Sequence, residues 1–272
     1  MAPGVTAFTR AHESEALAFL ARAPYDNAFL MWIIEGQRST SVREAVYVFH
    51  DERSRIDGVA YFGRQVVLAA EDSSVAARFA ARGYRNERMI VAPRTLAEAY
   101  WKAVRAWHLP PRIIRMSQPL FALSPASSSK RPVEGVRVRP AEARDWETIA
   151  HNSAKMIEQE LEYNPLSSEF YANIRSMIAR EQWWMGEYAG DLCFMCNRGP
   201  QTGATLQLQG IWTPPHMRGR GMATASLGEI CGILLEQTPT LSLYVNGFNA
   251  PAIALYERLG FMRVGEFQTL LF

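Results

Sequence analysis

The chain has 272 residues, 48% of them hydrophobic and 21% charged, with a formal net charge of +2. Those are globular values, the length suggests two domains rather than one, and so small a net charge argues against nucleic acid as a partner. No apolar run is long enough to cross a bilayer, and Met1-Ala-Pro-Gly-Val lacks the basic start and apolar core of a secretion signal, so a cytoplasmic protein that engages no membrane is expected.

In chain order, helical periodicity covers roughly residues 13–22 and 27–35. Strands are expected at 45–49, 58–62 and 66–69, then a helix near 74–82, a strand at 88–91, a helix over 95–107 and a last strand near Leu120. Residues 124–135 are polar, rich in Ser and Pro, and read as a linker. The expected division is therefore 1–123, linker 124–135, and 136–272. Beyond the linker, residues 136–139 alternate as a strand. A helix starts at Pro140 and extends to about Ile157, and Ser167 or Ser168 caps a second one that runs to about Arg180. Residues 182–188 and 192–197 form a hairpin across Ala189-Gly190-Asp191. A strand over 205–213 precedes a helix over 221–237, whose Ala223, Leu227, Ile230, Cys231 and Leu234 make one apolar stripe.

The three cysteines read as buried structural thiols. Cys193 and Cys196 have a Cys-x-x-Cys spacing, but within a strand, where alternation points them to opposite faces. No second Cys pair or His cluster completes a metal site.

The stretch between that last strand and helix is Thr213-Pro-Pro-His-Met-Arg-Gly-Arg-Gly-Met-Ala223. Glycines let backbone N–H groups approach a ligand closely, and a helix start adds unpaired donors and positive dipole. Together they suit a diphosphate, with Arg218 and Arg220 as charge-assisted donors. The plain alternative is a Gly-containing surface turn with two solvated arginines. The spacing fits neither the nucleoside triphosphate loop nor the dinucleotide fingerprint. Downstream, residues 241–246 alternate as a strand. In the helix that follows, Asn249 suits an N-cap, Pro251 sits in the first turn, and Gly260 fits a left-handed C-cap with Phe261 beside it.

Arg218-x-x-Gly221-x-Ala223 resembles the acyl-CoA diphosphate loop of the GNAT acetyltransferase superfamily. Asn249, Ala252, Tyr256, Gly260 and Phe261 resemble the family's closing motif. The resemblance covers residues 134–272 and implies the order β-α-α-β-β-β-α-β-α-β-β. The fold class it implies is α/β (α+β): a mixed, largely antiparallel sheet flanked by helices. The rhythm of the first half is similar, which suggests two such modules in tandem. However, Glu71-Asp72 stands there where glycines and arginines should receive phosphate.

The resemblance implies acetyl-CoA as cosubstrate, without a metal, and direct acyl transfer to a primary amine of a small molecule or peptide. Ile211, Trp212 and Thr213 would line the pantetheine, partly through free backbone groups. Arg218, Gly219, Arg220, Gly221, Met222 and Ala223 would hold the diphosphate, with Asn249 as a further CoA contact or simply the helix cap. Tyr256 takes the general-acid position; its plain alternative is a core tyrosine. For the base, Glu160 and Glu162, with Glu158 beside them, stand where the family's acceptor site is bordered. They would activate water or attract a cation, or form a solvated acidic face. Tyr163, Tyr171, Trp183 and Trp184 offer an aromatic wall, or simply pack. His216 lies within the loop, and His151 has no evident partner. The expected assembly is a monomer or homodimer. The rival function is a non-catalytic acyl-CoA sensor.

Overall fold

The computed structural model describes residues 4–36, 43–82, 86–129 and 131–272. Met1-Ala-Pro and Lys130 of the expected linker lie outside them. The chain divides into two compact units. One comprises Met1–Phe121, Tyr244–Ala250 and Arg263–Phe272; the other comprises Ala122–Leu243 and Pro251–Met262. These units and the linear division at 124–135 cut the chain differently, because two C-terminal segments fold with the first unit.

In the first unit, strands β1 (Gly4–Ala7), β2 (Val46–His50), β3 (Ile56–Phe62) and β4 (Gln65–Ala70) pair antiparallel in sequence. β5 (Met89–Pro93) then joins β4 in parallel, and β6 (Ile113–Leu123) follows in the chain. Helices α1 (Glu13–Leu20) and α2 (Ala28–Ile34) cover one face, and α3 (Ser73–Ala80) and α4 (Arg94–Val104) the other. The alternation along β4 sorts its side chains between them. Val67 and Ala69 join the core of α1 and α2, while Val66 and Leu68 join that of α3 and α4.

The second unit runs β7 (Val136–Pro140), α5 (Trp146–Leu161), α6 (Ser168–Ala179), β8 (Trp183–Tyr188), β9 (Asp191–Gln201), β10 (Leu206–Trp212), α7 (Met222–Leu234), β11 (Leu241–Tyr244) and α8 (Ala250–Arg258). Its strands lie in the order β11-β10-β9-β8-β7, all antiparallel except β10 with β11. Of the two serines expected to cap α6, Ser167 does so: its hydroxyl accepts from the Phe170 N–H at 3.1 Å. Ala189 and Gly190, both at positive φ, turn the β8–β9 hairpin.

The last strand, β12 (Met262–Leu271), pairs antiparallel with β5 from Phe267↔Pro93 to Leu271↔Met89, so the first unit's order is β1-β2-β3-β4-β5-β12-β6. Two closing strands are expected after α8, and the structure has one. The segment contains a glycine, Gly265, but no positive φ that would turn the chain back.

A second correction concerns the thiols. Gly186 pairs with Phe194 and Glu187 with Leu192, so Cys193 is the extra residue of a β-bulge. The bulge shifts the alternation by one, and both thiols turn towards α7. Cys193 Sγ lies 3.8 Å from Ser226 Oγ, and Cys196 perturbs Cys231. All three are free and buried, and burial pushes each thiol up, Cys196 to about 12.

Candidate functional site

β10 carries the first part of the site. It follows β9 to Trp212↔Met195, with a register shift between Gln209 and Trp212 at Gly210, whose φ is +58°. Any Cβ there would meet the Trp183 ring at 3.0 Å and collide with the Asn197 amide, so glycine is required twice over. Against β11 the pairing covers only Leu206↔Leu241 and Gln207↔Ser242. Beyond Gln207 the strand is therefore paired on one side, and its other edge offers main-chain polar groups. Ile211 and Thr213 are half-buried there. The Trp212 ring instead belongs to the core beneath α5 and α6, with Ile149, Ile178, Trp183 and Met195.

After Thr213 the chain makes a 3-10 turn over Pro215–Met217 and then the Arg-Gly-Arg-Gly bend. Gly219 and Gly221 have φ of +73° and +78°, and Gly221 is the N-cap of α7. Among the described residues, no backbone hydrogen bond uses the N–H groups of Gly219, Arg220, Gly221, Met222, Ala223 or Thr224; the first to close the helix is Ala225 to Gly221, at 3.0 Å. A Cβ on Gly219 would meet nothing within 4 Å. Open space and a run of unbonded donors at a helix start fit a diphosphate.

Each of the two arginines has protein partners of its own. Arg218 donates from Nε to the Thr213 carbonyl at 3.0 Å and stacks 4.6 Å over the Trp212 ring. Arg220 sits 5.2 Å over Tyr188, with a guanidinium nitrogen 3.4 Å from Met217 Sδ. Each retains N–H groups for an anion. The Thr213 carbonyl is taken by Arg218.

Tyr256 faces inward from α8 and is 4% exposed. Burial, then the Glu160 carboxylate, hold its phenol well above the usual value. The structure thus brings Glu160, in the last turn of α5, close enough to act on Tyr256. It does not do so for Glu162, an exposed residue in left-handed conformation that caps the same helix. Three glutamates crowd this helix end, with no basic residue in its last turn, so helix dipole and side chains add negative potential. α8 closes in a Schellman motif: Phe261 N–H to Tyr256 C=O at 3.0 Å and Gly260 N–H to Glu257 C=O at 3.0 Å. Asn249 precedes α8 and belongs, with residues 244–250, to the first unit.

The aromatic wall is mostly core. Trp183 and Trp184 are buried, and Tyr171 packs edge-on against Trp146 at 5.7 Å; Tyr163 alone of the four is exposed. The indole nitrogens of Trp183, Trp184 and Trp212 are buried without a hydrogen-bond partner among the described residues, a feature that no sequence pattern signals. His151 and His216 are exposed. Among the described residues no group of three His, Cys, Asp or Glu is placed to hold a metal, and no helix is long and apolar enough to cross a membrane.

Residues 142–261 match the acetyltransferase (GNAT) family, and residues 45–149 match a domain of unknown function (DUF4081). No curated protein matches the chain. Among solved structures, a Drosophila protein superposes with a TM-score of 0.66 at 12% identity, covering 99% of each chain. A GCN5-related N-acetyltransferase from Sphaerobacter thermophilus gives 0.65 at 13%, covering 97% of this chain and 93% of its own. A tandem GNAT protein from the clavulanic acid biosynthesis pathway gives 0.55 at 13%, covering 99% and 97%. Residues 142–261 are thus similar to the acetyltransferase (GNAT) family, and the fold over nearly the whole length is that of these solved structures.

Proposed function

We propose that the second unit binds acetyl-CoA and transfers its acyl group directly to a primary amine of a small molecule or peptide. The first unit serves as an accessory module. The observation that carries this reading is the run of unbonded amides from Gly219 to Thr224, where glycine leaves the approach open. These amides hold the diphosphate, Arg218 and Arg220 supply charge, and the one-sided edge of β10 at Ile211 receives the pantetheine.

In the reaction the neutral amine nitrogen bonds to the thioester carbonyl carbon, the C–S bond breaks, sulfur leaves as thiolate, and the extra proton on the new amide nitrogen passes to water. An alkyl ammonium has a pKa of about 10.4, so a proton must leave nitrogen first; the acidic end of α5, with Glu160 foremost, favours the cation's approach and accepts that proton through water. Tyr256 hydrogen-bonds to the departing sulfur. Its raised phenol pKa keeps it protonated, and the parent thiol is more acidic, at roughly 8.5. Tyr256 therefore acts mainly as a donor that stabilises thiolate, with the full proton arriving from solvent.

A second reading has a specific observation behind it. The deep burial of Tyr256 also suits a structural residue in a non-catalytic acyl-CoA sensor. Two measurements separate the readings. Acetyl-CoA raises the melting temperature under either, since a ligand of the native state must stabilise it. Thiol release with a panel of amines occurs only with the enzyme. Absence of any thermal shift refutes both.

A further inference from the structure

The linker is more than a tether. Ser129 donates its N–H to the Leu259 carbonyl at 3.1 Å and its hydroxyl to the Arg258 carbonyl at 3.0 Å, so it caps the end of α8. The Ser127 carbonyl occupies the place where Gly260 lacks a Cβ. A few residues later, Val133 Cγ2 lies 3.4 Å from the Cβ position of Gly221, the cradle glycine. The segment is thus fastened at the helix of Tyr256 and again beside the diphosphate loop. Only three residues lie between Ser129 and Val133, and the four steps from one to the other span at most about 14 Å of fully extended chain. Arg131 lies midway and is exposed.

The strap also adds charge. Among the described residues none of Arg131, Arg218, Arg220 and Arg258 forms an ion pair, although Glu134 and Glu257 lie nearby in sequence. Coenzyme A has, besides its diphosphate, a phosphate monoester on the ribose 3′ oxygen, one sugar away. Such a monoester carries close to two charges at neutral pH and prefers guanidinium donors.

We propose that the strap receives this 3′-phosphate, with Arg131 as its principal ligand and Arg258 beside it. The inference rests on the acyl-CoA reading above. It makes the segment that joins the two halves a selector for coenzyme A over its 3′-dephospho form.

Calorimetric titration with coenzyme A and with 3′-dephospho-coenzyme A tests it. The wild-type chain is expected to prefer coenzyme A by about tenfold. Arg131→Ala should lose most of that preference by weakening coenzyme A alone, and Arg131→Lys should fall between. The exposed position predicts unchanged melting temperatures for both variants. Equal wild-type affinity for the two nucleotides, or a wild-type ratio in Arg131→Ala, overturns the role of the strap and leaves the cradle standing. Failure of the wild-type chain to bind either nucleotide overturns the acyl-CoA reading, and the strap proposal with it.

Discussion

The two units contain the same crossover, built to opposite ends. In each, a strand pairs in parallel with the next for two or three residues and then continues alone on that side. β4 does so at Gln65–Val67 against β5, and β10 at Leu206 and Gln207 against β11. After β4 only Glu71 and Asp72 precede the helix. The Asp72 carboxylate accepts the Ser74 N–H at 2.6 Å, and Glu71 pairs with Arg22. After β10 the chain takes the longer path of residues 213–221 and leaves its helix-start amides unbonded. One helix end is satisfied by the chain's own carboxylate, the other is open to an external anion. The helices that follow carry a second parallel: α4 and α8 each have a tyrosine as seventh residue, Tyr100 and Tyr256. Tyr100 is fully buried in the core with Phe62 and Phe79. Tyr256 lies within reach of the Glu160 charge. A fold used twice thus distinguishes its copies by a few polar groups and not by its backbone plan.

The sharpest test of this contrast is the tyrosine pair. Tyr256→Phe should lower kcat by about 100-fold, the order of one lost hydrogen-bond donor to charge developing in the transition state, while Tyr100→Phe leaves kcat alone. Steady-state kinetics on both variants checks this, and equal effects would erase the distinction. The phenol pKa is raised, so Tyr256 holds its proton below the ordinary value of about 10. Its contribution to stability is then complete below that pH and is lost as pH rises through the folded value. The wild-type kcat profile should accordingly show no loss attributable to Tyr256 between pH 6 and about pH 10.

Next in size, Gly221→Val should close the open cradle. A branched residue at a φ of +78° costs about 1–2 kcal/mol, and its side chain would crowd Val133 and the amides. An affinity loss for acetyl-CoA of about 30-fold is expected by calorimetry.

A smaller effect is expected at the acidic helix end. Glu160→Gln should raise KM for cationic amines about threefold and leave acetyl-CoA affinity unchanged, because the residue is exposed and its field is screened. The same change should lower the Tyr256 phenol pKa, readable by ultraviolet titration. Glu162→Gln should do neither.

The smallest effect lies in the first unit. Asp72→Ala removes the cap and should lower the melting temperature, yet acetyl-CoA should still bind one site per chain, because freed amides alone do not recreate the glycine bend. Hydrogen bonds from the Ser74 side chain and then its backbone hold the Asp72 carboxylate below its usual range. Its contribution is therefore present above the ordinary carboxylate pKa, about 3.9, and is lost as pH falls through the folded value. The difference between variant and wild type should vanish in strong acid.

Legibility in the sequence followed the range of the interaction. Ser167 starting α6, Ala189-Gly190 turning the hairpin, Gly260 ending α8 and the two glycines of the bend all act within one turn of chain. Residue identity alone limits the backbone there, through the missing Cβ or a side-chain cap, so these features could be read directly. The bulge at Cys193 was hidden because alternation assumes an unbroken ladder, and only the partner strand shows where a residue is extra. The place of Glu160 rather than Glu162 beside Tyr256 depends on how two helices pack. The return of residues 263–272 to β5, and the strap's hold on Leu259 and Gly221, are pairings between positions far apart in the chain. The sequence determined the local geometry that an anion needs. The tertiary structure decided which strands, carboxylates and linker residues surround it, because hydrophobic burial is non-directional and selects long-range partners only through the packing of the whole unit.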